Sequence, residues 1–242
     1  KIQEYKSQNT NEYFDKQIKL FLQANSQRYN YITTEACAWI NQEAEKYDNS
    51  SMFVPFSGGK DSTVVSSLVL RALGRPDIIH IFGNTTLEFP STYEYVKRFR
   101  ANNRQTPLLT AQNKEQDFFN LCDTFGPPSR MLRWCCTIFK TGFIGDKILK
   151  TFKDKTAILT FYGIRRMESA SRNKYERKDE SPKISKQKVT SPIIDWADYD
   201  IWLYILASGI DFNDAYRLGF TRVGCWCCPN NSDWSMMLTD IY

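Results

Sequence analysis

Histidine is almost absent from this sequence: of 242 residues, one is His, at position 80. An imidazole base would have to be that residue. It lies inside the apolar run Ile78-Ile79-His80-Ile81-Phe82, where a hydrogen-bonded strand histidine is the better reading. No apolar run is long enough to span a bilayer. No secretory signal is read in the polar start Lys1-Ile2-Gln3-Glu4-Tyr5-Lys6, so the expected location is cytoplasmic. The sequence starts at Lys1 rather than Met, as a trimmed piece of a longer protein would. Internal repeats and coiled-coil heptads are also missing. Neither sign of charge dominates, with 32 Lys and Arg against 27 Asp and Glu.

Cysteine, in contrast, is present and unevenly spaced. Five of the seven sit in two tight groups, Cys135-Cys136 and Cys225, Cys227 and Cys228. Without a signal peptide, such grouping suggests metal or redox chemistry more than a disulfide framework. The excess positive charge is local too. From Arg165 to Lys188 there are nine basic residues against four acidic ones, and the rest is balanced. That stretch is polar and reads as an exposed basic loop. A solvated surface and a docking site for a polyanion, such as a nucleotide or nucleic acid, both fit it.

The most informative stretch is Phe53-Val54-Pro55-Phe56-Ser57-Gly58-Gly59-Lys60-Asp61-Ser62-Thr63. An apolar run enters it, a glycine pair turns it, and the helical pattern Val64, Val65, Leu68, Val69, Leu73 leaves it. Strand, small-residue loop and helix N-terminus together make a phosphate cradle, with backbone N–H groups and the helix dipole aimed at the anion. Gly58 and Gly59 permit close approach and positive φ. Lys60 supplies a point charge; Ser57, Ser62 and Thr63 supply hydroxyls.

Around the loop the chain alternates strand and helix. Strands are expected at 52–56, 78–82, 106–110, 155–162 and 189–194, with helices at 93–99, 114–122 and 198–207 and a short helical tail. The expected class is therefore α/β, a doubly wound and mostly parallel sheet. Residues 1–50 form a helical extension, in which Tyr13, Phe14, Ile18, Phe21 and Leu22 recur at helical spacing. Residues 51–242 form the nucleotide-binding domain with its cysteine segment. Cys37 lies on the helical extension and reads as packing.

Four motifs in this order resemble the adenine nucleotide α-hydrolase superfamily, whose phosphate loop is the PP-loop, and within it the phosphoadenosine phosphosulfate (PAPS) reductase family. Ser57-Gly58-Gly59-Lys60-Asp61-Ser62 matches the pyrophosphate loop. Gly83-Asn84-Thr85 with Glu88-Phe89-Pro90 resembles the second motif, which usually carries Asp at the place of Asn84. Gly163-Ile164-Arg165-Arg166 with Glu168-Ser169 and Arg172 resembles the arginine motif that contacts the nucleotide. Arg133-Trp134-Cys135-Cys136 with Lys140, and Cys225-x-x-Cys228, resemble the cysteines of the iron–sulfur branch. The resemblance implies a [4Fe–4S] cluster on Cys135, Cys136, Cys225 and Cys228. A four-cysteine zinc site and buried thiols remain alternatives. Cys227 is open as another ligand, a sulfur relay or a packing residue.

The resemblance also bears on substrate. Assimilatory sulfonucleotide reductases generally carry a degraded phosphate loop, whereas this one is intact. An intact loop with cluster cysteines looks most like the DndC-type enzymes of DNA phosphorothioation. That implies ATP with Mg²⁺, pyrophosphate release, and adenylation of an acceptor for sulfur transfer. Lys60, Asp61, Arg165 and Arg166 would be catalytic, and Asp61 and Glu88 are the carboxylates nearest a metal. Implied partners are a nucleotide, DNA or another nucleic acid, a sulfur donor such as a cysteine desulfurase, and further subunits; a membrane is not implied. A sulfonucleotide reductase and a non-catalytic nucleotide-binding subunit are the alternatives.

Overall fold

The structure is a computed structural model that describes residues 2–181 and 184–242, with side chains described from Asn11 onward in the first helix. Pro182 and Lys183 of the basic segment, and Lys1, lie outside the described residues.

Two helices open the chain, α1 (Ile2–Ala24) and α2 (Ser26–Ala44). Alternation then begins: β1 (Met52–Pro55), α3 (Lys60–Leu73), β2 (Ile79–Asn84), α4 (Pro90–Asn102), β3 (Leu108–Gln112) and α5 (Phe118–Phe125). A π-helical turn at Cys136–Thr141 leads into α6 (Gly142–Thr151). β4 (Ile158–Phe161), β5 (Lys178–Glu180), β6 (Gln187–Thr190), α7 (Asp198–Ser208) and α8 (Asp233–Ile241) complete it. Among the described residues the strands form one sheet in the order β3-β2-β1-β4-β6-β5. Every pairing is parallel except the antiparallel β5–β6.

The strands are apolar on both faces because both are covered. Met52 and Val54 of β1, with Leu159 and Phe161 of β4, join α2, α3 and α7 in the largest core. Phe53 and Ile158, one residue out of step, face the opposite layer with Ile148 and Phe152 of α6 and its C-cap. Gly83 permits that layer to close: a Cβ there would lie 2.5 Å from the Ile144 side chain. His80 is fully buried, with Nε2 bonded to Ser66 Oγ and Nδ1 to the Ile78 carbonyl, each at 2.8 Å. It is the satisfied strand histidine that its setting predicts.

The helical extension is part of this packing. Ile32, Ala36, Ile40 and Ala44 of α2 lie four residues apart and enter the main core. Arg28 clamps Asp200 of α7 with two bonds, 2.9 and 2.8 Å. α1 is divided: Phe21 and Leu22 pack on the core, whereas Tyr13, Phe14 and Ile18 are exposed.

Several boundaries differ from the sequence reading; the strand expected over 189–194 is Gln187–Thr190, since Ile194 N–H turns back onto the Ser191 carbonyl. The helix expected from Lys114 starts at Phe118, because Asn113 Oδ1 takes the amides of Glu115 and Gln116 in a side-chain turn and Asp117 then caps Phe119 and Asn120. The strand expected over 155–162 is limited to Ile158–Phe161, since the chain at Lys155 is still turning back onto Phe152. The basic segment is not a plain loop. It contains two 3-10 turns and β5, an edge strand held by charge instead of apolar alternation: Lys188 pairs with Glu180, and Lys178 with Glu43 at 2.6 Å.

Candidate functional site

Chain order reverses at β1. β2 and β3 lie on one side of it, β4 and β6 on the other. The carboxyl ends of β1 and β4 therefore flank a topological switch point, where ligands of open α/β sheets bind. The phosphate loop follows β1, and Gly163–Arg165 follows β4.

The loop is held in one shape. Gly58 has φ +72°, and a Cβ there would stand 3.0 Å from the Thr92 methyl, so both angle and space call for glycine. The buried Asn213 amide donates to the Gly58 carbonyl at 3.1 Å and to Thr92 Oγ1 at 3.0 Å. Ser62 Oγ lies 3.2 Å from the Ser57 amide and donates to the Gly59 carbonyl at 2.9 Å. Thr63 Oγ1 donates to the same carbonyl at 3.0 Å and meets Tyr95 Oη at 2.9 Å. The amide of Lys60, first residue of α3, donates to Tyr216 Oη at 2.9 Å.

Below the loop lies an ion network. Lys60 Nζ is 3.3 Å from Asp61 and 3.4 Å from Asp198. Arg165 reaches the same two carboxylates at 2.5 Å each and the Trp196 carbonyl at 3.3 Å. Lys60 and Arg165 are 6% and 3% exposed, so neither charge stands free in solvent. Burial works against the Arg165 charge, but Asp61 and Asp198 more than offset it and raise its pKa. Burial likewise opposes the Asp198 carboxylate, yet Lys60 and Arg165 hold its pKa below the usual range. Gly163 is a packing necessity here: a Cβ would lie 2.9 Å from the Asp61 carbonyl carbon.

The outer arginines are paired as well. Arg166 bonds Asp195 and donates to the Tyr175 carbonyl at 3.0 Å; Arg172 bonds Glu168. Glu168 also accepts the Arg165 amide at 3.1 Å.

The second motif meets the later cysteine group. Asn84 Oδ1 accepts from the Thr86 amide at 2.9 Å and Tyr93 Oη at 3.1 Å, while its amide donates to Gln112 at 3.1 Å. Thr86 takes φ +67°, an unusual value for a β-branched residue. Thr85 Oγ1 donates to Glu88 at 3.0 Å and lies 3.4 Å from Cys225 Sγ. Glu88 and Cys225 form an antiparallel bridge, with Phe89 N–H on the Gly224 carbonyl and Trp226 N–H on that of Leu87. Burial raises the pKa of Glu88, against the lowering influence of Lys140 and Thr85.

Leu87, Phe118 and Phe139 wall the cysteine pocket, with Trp134 stacked on Phe118 at 5.6 Å. The two cysteine groups, far apart in sequence, meet there. Burial, then neighbouring Cys136 and more weakly Cys228, push the Cys135 thiol up to about 11. Burial, Glu88 and Cys228 push Cys225 up to about 12. Burial also raises Cys227, which has Cys228 and Cys122 as neighbours. The cysteines are free thiols. Among the described residues no set of three or more His, Cys, Asp or Glu side chains is arranged to hold a metal ion. The donor chemistry suits a thiolate-bound metal; the thiols are gathered but do not form a coordination shell. Asp61 and Glu88 are likewise engaged with protein partners.

Residues 51–231 match the phosphoadenosine phosphosulfate reductase domain, a span that includes every element from β1 to the cysteine pocket. The chain belongs to the PAPS reductase domain family. An uncharacterized protein of Methanocaldococcus jannaschii, MJ0066, is 32% identical over 227 residues, covering 94% of this chain and 46% of that protein. With a second such protein covered to 50%, the chain spans about half the length of these curated relatives. Adenosine 5'-phosphosulfate reductase of Anoxybacillus flavithermus is 27% identical over 191 residues, 75% of each chain. The crystal structure of PAPS reductase from Candida auris shares the fold, with TM-score 0.58, 13% identity, and coverage of 83% of this chain and 95% of that one. Among the described residues no helix is long and apolar enough to cross a membrane.

Three residues of this PAPS reductase-family site were not visible in sequence. Asp198 had a faint signal, as an acid at the start of an expected helix. Asn213 and Tyr216 had none, because what matters is their reach across more than 150 residues to Gly58 and Lys60.

Proposed function

We propose that this chain cleaves ATP between its α- and β-phosphates and uses the adenylyl group to activate an acceptor oxygen for sulfur transfer. The observation that carries this reading is the intact Ser57–Ser62 loop, built as a rigid backbone cradle at the switch point of a parallel sheet. An acceptor oxygen attacks the α-phosphorus, the bond to the β-phosphate bridging oxygen breaks, and pyrophosphate leaves. A sulfur nucleophile then displaces AMP from the activated atom. The loop amides stabilise the leaving pyrophosphate, and Lys60 contributes its charge once a phosphate competes for it against Asp61 and Asp198. Mg²⁺ would offset phosphate charge, with Asp61 and Glu88 the nearby carboxylates. Arg166 and Arg172, each held by one surface acid, are the cations most easily recruited to anionic groups.

Cys135, Cys136, Cys225 and Cys228 would hold a [4Fe–4S] cluster, with Cys227 as a further candidate. Bound there, such a cluster supplies redox or electrostatic chemistry beside the nucleotide; zinc in its place would be a structural clamp. The positive Arg165–Lys188 segment favours a nucleic-acid acceptor, as in DNA phosphorothioation, and a cysteine desulfurase within a larger complex is the sulfur source this chemistry needs.

Likeness to adenosine 5'-phosphosulfate reductases favours a second reading, reduction of a sulfonucleotide. A nucleotide-binding subunit without turnover is the third. Incubation of anaerobically purified protein with ATP and Mg²⁺, with DNA present, separates them. Equimolar AMP and pyrophosphate are expected. Sulfite from a sulfonucleotide and a thiol would support the reductase, and binding of ATP without turnover would support the third reading.

A further inference from the structure

One group stands where a ligand is expected. The Lys60 amide opens α3, a helix of 14 residues, and is among the donors an oxyanion should find. It is taken by the phenol of Tyr216 at 2.9 Å, from a 3-10 turn 156 positions further along the chain. The same hydroxyl would lie 3.4 Å from a Cβ on Gly59, so it sits directly over the loop backbone. The phenol ring lies 5.8 Å from Lys60 Nζ and meets Trp202 edge-on at 5.5 Å. Burial keeps the phenol protonated, and Asp61 and Asp198 add to that effect. A neutral oxygen therefore accepts from the Lys60 amide.

Two other loop groups are arranged in the same way. Ser57 N–H is answered by Ser62 Oγ, and Gly59 N–H by Ser57 Oγ at 3.4 Å. Those hydroxyls belong to the loop and can stay as it fills. Tyr216 is different. It arrives from another segment, beside Asn213, which grips the Gly58 carbonyl.

We propose that Tyr216 is a positioning residue for the phosphate loop: its hydroxyl holds the Lys60 amide in the place of a ligand oxygen and cedes it when the oxyanion enters. This rests on the reading of Ser57–Ser62 as a phosphate site. The hydroxyl satisfies a helix N-terminus that would otherwise face a partly buried ion network unpaired. Entry of the ligand exchanges one hydrogen bond for a stronger, charge-assisted one. The exchange costs affinity, because the internal bond must break first.

Tyr216→Phe isolates the hydroxyl, since the ring and its contact with Trp202 remain. In the ligand-free variant the Lys60 amide is expected to exchange hydrogen faster than in the parent. Inorganic pyrophosphate, measured by calorimetry, is expected to bind about twofold to tenfold more tightly, the range for one neutral hydrogen bond no longer broken on entry. ATP should follow with a lower KM and a kcat changed less. Unchanged or weaker pyrophosphate binding by the variant would overturn the proposal, as would an unmoved Lys60 exchange rate. Failure of pyrophosphate and ATP to bind either protein would remove the phosphate-loop reading, and the proposal with it.

Discussion

The phosphate loop and the cysteine pocket are built by opposite means. The loop is local. Seven consecutive residues between β1 and the first turn of α3 set its shape, and their own hydroxyls satisfy most of its polar groups. The pocket is assembled from the Cys135 and Cys225 segments, distant in sequence, which pack around Leu87, Phe118 and Phe139. The loop is consequently complete without a ligand, down to the Tyr216 hydroxyl on its open amide. The pocket brings thiols together, and burial pushes Cys135 and Cys225 up to about 11 and about 12. One site is preorganised by backbone geometry. In the other, burial disfavours thiolates, a cost that a bound metal's charge would offset.

The sharpest test of this contrast is Lys60→Ala. It should reduce nucleotide turnover at least ~100-fold, the scale for removing one preorganised electrostatic group, while circular dichroism stays close to that of the parent. Turnover like the parent's would mean that the loop's charge is not what holds the phosphate. Next is Cys135→Ser, which should drop protein-bound iron to background in anaerobically purified protein and remove the visible absorption of a cluster. Cys37→Ser, on α2 against the main core, should leave both intact. A colourless parent containing stoichiometric zinc would move the pocket from cluster to structural site.

Arg165→Ala tests the network beneath the loop. It leaves Asp61 and Asp198 sharing Lys60 alone, and should cost about 3 kcal/mol in urea denaturation. That is the low end for a buried pair, because Asp198 is largely exposed and screened. A loss near zero would show that the network is dispensable to the fold. The smallest effect at neutral pH concerns His80, away from both sites. Burial holds its pKa at about 4 against 6.5 in the unfolded chain. The unfolded chain therefore binds the proton first. Stability is full above about pH 6.5 and falls as pH drops toward 4, by about 3 kcal/mol in all. His80→Gln should lack most of that slope, measured as the urea midpoint at pH 7, 5 and 4.

Much of the fold was legible because its signals are short-range. Apolar runs marked the parallel strands, α3 ends at Leu73, the last residue of its expected pattern, with Gly74 in the left-handed region, and Asp198 opens α7. The extra edge strand β5 was not legible, since its stability comes from Glu43 on α2 and Lys188 on β6, not from a pattern of its own. The arginines were found by motif but not by role. Sequence placed Arg165 and Arg166 side by side; the structure buries Arg165 with Asp61 and Asp198 and leaves Arg166 on the surface with Asp195. Gly163 read as a nucleotide contact; the structure adds that the turn after β4 runs so close to the Asp61 backbone that a Cβ would not fit.

By itself the sequence determined the loop, its place between strand and helix, and the family. Those depend on φ angles, hydroxyl positions and residue types within a few neighbours of one another. Tertiary structure alone decided who answers the loop: Asn213 on Gly58, Tyr216 on Lys60, and Asp198 between the two buried cations. The physical reason is distance along the chain. A backbone amide at a helix start announces that it needs an acceptor, but which of more than two hundred residues supplies it is fixed only when the fold brings α3, α7 and the Asp214–Tyr216 turn together.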